Sequence, residues 1–254
     1  MFAPFDSAKL LVARACHHID EFDAAQKAYV GSKPYLRTQY IDPGTGQTIV
    51  KVRVVKPMPP ELAVFTFEIV NCLRSALDHA VFDASEALGG KPKPKYTKFP
   101  CGKTARDAAD DLPRKRAEVP ESIRPYLLNL EPHQGGRNLI WEMNELRNGK
   151  IHQTLSAPIS RASGWGFGNG SVMHVNTRDV TFVDQWDAAN YELAVVFGSN
   201  AHMQVNIHVT MRVCFDKATP FADKEASPLL FKLAEIVGGI VLGIEAETAR
   251  LKNA

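Results

Sequence analysis

Apolar residues along the first thirty positions fall at the spacing of one helical face. Leu11, Ala15 or Cys16, Ile19, Phe22 and Tyr29 line up with no glycine or proline among them, which predicts a helix from Ser7 to about Tyr29. The period then changes. Val50, Val52 and Val54 alternate with Lys51 and Arg53, and Asp42-Pro43-Gly44-Thr45-Gly46 has turn chemistry. Strands at 35–41 and 47–56 joined as a β-hairpin follow. After Pro59-Pro60 the helical period returns in its strongest form. Leu62, Phe65, Ile69, Cys72, Leu73, Ala76, Ala80, Ala84 and Leu88 make one continuous apolar face, and Gly89-Gly90 supplies a left-handed end.

Residues 91–120 carry many charges and prolines and predict a long irregular excursion with one short helix at most. A short helix at 122–130 precedes a longer one over 137–155, where Leu139, Met143 and Leu146 share a face and Gly149 is a place to break. The pattern changes again near Pro158. Glycines at 164, 166, 168 and 170 surround Trp165 and Phe167 and predict a tightly turning loop. Strands are expected at 171–175, 180–184 and 191–197. A long half-buried strand at 203–215 has Met203, Val205, Ile207, Val209, Met211, Val213 and Phe215 on one face. Ser227 as cap and Pro228 at the first helical position open a last helix that runs to about Arg250. Its middle, 236–244, is apolar on nearly every side and holds three glycines, so burial against another helix or a second subunit is expected.

These elements define an α+β fold. A long-helix core (7–30, 60–155 and 227–251) carries an N-terminal β-hairpin insertion and further antiparallel strands (35–56 and 171–216), all in a single domain of 254 residues. Composition narrows the function classes only a little. Apolar content of 45% and charged content of 23% are those of an ordinary globular protein, and a net charge of +2 gives no global pull toward nucleic acid or membrane. Any such binding needs a local patch, and the basic clusters at 91–98 and 114–116 are the two available. The four cysteines are scattered, without a CxxC, and read as free thiols in a reducing compartment, with Cys16 and Cys72 buried. The first nine residues lack a signal-peptide core, and 236–244 is too short to span a bilayer, so a cytoplasmic location is expected.

The chemistry concentrates in Arg147-Asn148-Gly149-Lys150-Ile151-His152. It couples a permanent cation to the one side chain that titrates near neutrality. In an unbroken helix five residues turn through about 500°, so Arg147 and His152 point about 140° apart. A break at Gly149 or a second subunit has to bring them together. The sequence Arg147-Asn148-x-x-x-His152 resembles the Arg-x4–6-His signature of the HEPN superfamily of small helical domains, in its Arg-Asn-x-x-x-His form. That resemblance implies a metal-independent endoribonuclease that works as a homodimer, with the motifs of two protomers facing each other. Arg147 would stabilise the phosphoryl charge, His152 would act as acid or base, and Asn148 would orient the pair. In such enzymes an acidic or polar residue on the preceding helix supports the pair, and Asp78 in Leu73-Arg74-Ser75-Ala76-Leu77-Asp78-His79 is the candidate. RNA as substrate and a cognate inhibitor protein as partner are further implications, and no cofactor is called for.

Other readings remain open on the residues alone. The same scaffold serves non-catalytic binding or assembly in other members, and Arg74 and Asp78, at i and i+4, then form a structural ion pair. A third reading is a small-molecule module with its pocket between the sheet and Trp165. Metal binding has little support: His17-His18 diverge by about 100° on a helix, and His202 and His208 stand about 20 Å apart on a strand. The 164–170 glycine run lacks the spacing and lysine of a phosphate loop.

Overall fold

The computed structural model describes residues 3–137, 139–150, 159–167, 172–174, 185–187, 192–197, 202–204 and 207–254. In chain order these form α1 (Asp6–Gly31), β1 (Tyr35–Ile41), β2 (Thr48–Val54), α2 (Glu61–Ala87), α3 (Ala105–Lys115), α4 (Arg124–Asn129) and α5 (Ile140–Lys150). There follow β3 (Ile159–Phe167), β4 (Val172–His174), β5 (Gln185–Asp187), β6 (Glu192–Phe197), β7 (His202–Gln204), β8 (Ile207–Cys214) and α6 (Ala226–Lys252). The chain is α+β. Its contacts divide the single domain read from the sequence into two compact units. One comprises Met1–Ala24, Pro60–Ala157 and Phe215–Ala254, and the other Ala25–Pro59 and Pro158–Cys214.

The first unit is helical and is organised around α2. Leu62, Ile69, Leu73, Ala76, Leu77, Ala80, Val81 and Ala84 of that helix are all buried. Ala76, Ala80 and Ala84 make a row of small side chains that lets a neighbouring helix come close. Helices α5 and α6 both pack on α2. From α6, Leu230, Leu233, Val237, Val241 and Ile244 are buried, each worth about 1.5–3 kcal/mol of transfer free energy before ordering costs. The backbone N–H of Phe5 donates to Asp83 at 2.7 Å, and Ser7 meets His79, so the start of α1 is fixed to α2.

The second unit holds the sheets. Its main sheet has the order β1-β2-β6-β5, with every pairing antiparallel. Val50 and Val52 of β2 are buried while Arg53 is exposed, as the alternation requires. The hairpin turn is an Asx type: Asp42 Oδ1 accepts from the N–H groups of Gly44 and Thr45. Separate two-stranded pairings join β3 to β8 and β4 to β7.

Several expectations are corrected. The glycine-rich stretch from 164 is strand rather than loop through Phe167: β3 pairs with β8, and its register shifts between Ala162 and Gly164. Ser163 is the extra residue of that shift and has no partner in the ladder, as at a β-bulge. The expected strand over 203–215 appears as β7 and β8, and the expected strand 180–184 lies outside the described residues. The side chain of Trp165, on which a small-molecule pocket was placed, also lies outside them. Ser227 is not the cap of α6. Glu225 holds that position, and Ser227 donates instead to Asp23 of α1 at 2.9 Å. In α1 it is Ala15 that faces inward, and Cys16 is exposed; Cys72 is half-buried. Helix α5 begins at Ile140 and continues through Gly149 to Lys150, so Gly149 makes no break.

Candidate functional site

The polar centre of the helical unit is built from one short pattern used twice. Helix α2 carries Asn71-Cys72-Leu73-Arg74 and α5 carries Asn144-Glu145-Leu146-Arg147. Both leucines are buried. The helices run antiparallel at this point, so each arginine reaches the other helix's asparagine. Arg74 Nε donates to Asn144 Oδ1 at 3.1 Å, and Arg147 Nε donates to Asn71 Oδ1 at 3.1 Å. The two bonds are related by a local approximate twofold.

The environments of the two arginines differ sharply. Arg74 is 4% exposed. Its Nη2 donates to the carbonyl of Phe99 at 2.9 Å, and its Nη1 lies 2.7 Å from Asp78 Oδ1 at an angle that makes the contact ionic rather than a directed hydrogen bond. The guanidinium also sits over the Phe99 ring, 5.8 Å from its centroid. Burial weakens its hold on its proton, while Asp78 works in the opposite sense. Asp78 also binds backbone: its Oδ1 accepts from the Phe99 N–H at 2.9 Å. Both backbone groups of Phe99 are thus bound to side chains one turn apart on α2.

Arg147 is half-buried, and beyond the bond to Asn71 its guanidinium finds no acceptor among the described residues. Asn148, one position on, is exposed. It opens onto a polar cleft of about 530 Å³ lined by Cys101, Lys103, Gln134, Trp141, Asn144 and Glu145. Cys101 is no nucleophile at neutral pH. Burial pushes its thiol up to about 11 against the pull of Arg74.

Of the four residues singled out in the sequence, Arg147 and Asn148 stand together at the last turns of α5. Asp78 is engaged with Arg74 and Phe99. It lies seven residues, about 10 Å, along α2 from Asn71, where Arg147 is anchored. His152 lies outside the described residues. Sequence reasoning anticipated the Arg74–Asp78 pair but missed Asn144 and the Phe99–Cys101 segment. The repeated Asn-x-Leu-Arg pattern was the available signal for Asn144. Nothing local marks Phe99, which arrives from a distant loop.

No family model, no curated protein and no solved structure matches this chain. Among the described residues no helix is long and apolar enough to cross a membrane.

Proposed function

We propose that this protein is a metal-independent endoribonuclease on a HEPN-like helical scaffold, acting as a homodimer. The observation that carries this reading is the state of Arg147. A single Nε–H bond to Asn71 orients its guanidinium, its terminal amino groups have no acceptor among the described residues, and the exposed Asn148 follows it at the mouth of a polar cleft. A guanidinium held by one edge presents its other edge as a donor fork, the geometry that matches phosphate oxygens.

In the proposed reaction His152 takes the proton of a ribose 2′-hydroxyl, the 2′-oxygen attacks the adjacent phosphorus as the P–O5′ bond breaks, and the leaving 5′-oxygen takes a proton from solvent water. A 2′,3′-cyclic phosphate and a 5′-hydroxyl end result. Arg147 neutralises charge that develops on the non-bridging oxygens, and Asn148 orients the pair. In this reading Asp78 is a positioning residue: it holds Arg74, which holds Asn144 beside the cleft.

The test is incubation of wild type, Arg147→Ala and His152→Ala with mixed RNA in EDTA. Cleavage by wild type with cyclic-phosphate ends is expected, reduced by about 10²–10⁴-fold in each variant. An inert wild type, or variants as active as wild type, would sink the reading. A second reading, a non-catalytic assembly protein, draws on Arg74, where the same Asn-x-Leu-Arg pattern is wholly engaged in packing. Inactivity of all three proteins would favour it.

A further inference from the structure

The two basic clusters, Lys91 to Lys98 and Arg114 to Arg116, are brought together by the fold. Lys95, Tyr96 and Lys98 form one wall of a groove of about 530 Å³, and Arg114, Arg116 and Glu118 form the other. Not all of this charge is free. Arg116 pairs with the buried Asp111, and Glu118 pairs with Lys93 at 3.2 Å. The Glu118 carboxyl is held below the usual carboxylate range by its own backbone N–H and by Lys93. Lys98 and Arg114 have no acidic partner among the described residues. Lys95 has none either, and its ammonium lies over the Tyr96 ring, 5.5 Å from the centroid. The groove therefore has a clear positive excess in a chain whose net charge is only +2.

Both walls are fixed before any ligand arrives, which separates this groove from a set of solvated lysines. Lys98 lies between the buried Thr97 and Phe99. Phe99 is tied to Asp78 and Arg74 as described. Thr97 accepts from the Lys93 N–H through its hydroxyl and donates its own N–H to the Lys93 carbonyl. Pro92 and Pro94 restrict the backbone further. On the other side α3 is anchored by a capping box between Thr104 and Asp107 and by the Arg116–Asp111 pair. On the first wall Tyr96 is 45% exposed, a large flat side chain among cations.

We infer that this groove binds single-stranded nucleic acid, with Lys95, Lys98 and Arg114 on successive phosphates and a base stacked on Tyr96. Free cations supply the sequence-independent attraction, and an exposed aromatic among them adds stacking that an acidic peptide would not use. A duplex, whose bases are stacked internally, would leave Tyr96 idle. The site does not depend on Arg147 being catalytic. If Arg147 is catalytic, the groove holds the substrate strand.

The test is fluorescence anisotropy of the full chain with labelled 2′-O-methyl U12, which cannot be cut through its 2′-oxygen, and with dT12. Saturable binding is expected for both. Lys98→Ala/Arg114→Ala should weaken it at least tenfold and make the log–log salt dependence shallower by about 1.4. Tyr96→Ala should weaken it about tenfold. These side chains are at the surface, and circular dichroism checks that each variant is folded. Absence of binding by wild type overturns the inference. So does a groove variant that binds normally, or polyglutamate that competes as well as U12 while Tyr96→Ala has no effect. Binding without any cleavage of ordinary RNA would defeat the nuclease reading and leave the groove intact.

Discussion

At the scale of single residues, Arg74 shows why a charge can be buried here at all. Its guanidinium has a carboxylate, a carbonyl, an amide oxygen and an aromatic face around it, so removing it from water is offset at several atoms. Deleting one member of such a set leaves another buried group without its partner, and that asymmetry dominates the cost. Arg74→Ala should therefore destabilise the protein by about 3–5 kcal/mol, read from urea unfolding. Arg74→Lys should recover only part of this, because an ammonium cannot present the planar fork that reaches Asn144 and Phe99 together. A denaturation midpoint for Arg74→Ala equal to wild type would show that the cluster contributes nothing. The i,i+4 spacing made the Arg74–Asp78 contact legible in sequence. The contact that Asp78 makes with Phe99 was not, because it joins positions 21 residues apart through an irregular loop.

At the scale of elements, periodicity located most helices and the N-terminal hairpin to within a few residues, since one-sided burial imposes its own period on the sequence. It said less where burial is two-sided or where local chemistry sets the ends. Helix α3 starts at a Thr104–Asp107 capping box that the prolines and charges around it obscured. The apolar middle of α6 packs on α2, as an apolar helix of this kind leads one to expect, yet Leu242 is 57% exposed, while Gly243 approaches Tyr126 closely. A Cβ at Gly243 would lie 2.1 Å from the Tyr126 hydroxyl oxygen of α4, so any larger residue there has to displace the Tyr126 side chain. Gly243→Ala should destabilise the protein by about 1–3 kcal/mol. Tyr126→Phe in the same chain should return most of that loss, because the next ring atom stands 3.4 Å away, in ordinary contact range. Thermal unfolding of the two single variants and the double variant gives the coupling. Additive effects would mean that the strain lies elsewhere.

At the scale of the whole molecule, the helical ranges and the strand ranges read from the sequence fall largely into different compact units. A sequence read locally does not reveal that division, because α1 runs from one unit into the other and the second unit is assembled from two segments with 98 residues between them. The proposed nuclease makes a demand at this scale: if two protomers complete the site, the protein should sediment at twice its 28.0 kDa. Its specific activity should also fall on dilution. A monomer at micromolar concentration that still cleaves RNA would remove the second subunit from the mechanism. The crossed arginine–asparagine bonds bear on how any such assembly could be regulated. Sliding α5 along α2 by three residues in one direction would set Arg74 against Arg147, and in the other Asn71 against Asn144. Both bonds break in either case, and the first displacement also opposes two like charges. The pattern thus acts as a register lock against the one-turn ratchet by which many packed helices switch state. A signal reaching Arg147 has to act on its side chain or on the chain beyond Lys150, with α5 itself held in place.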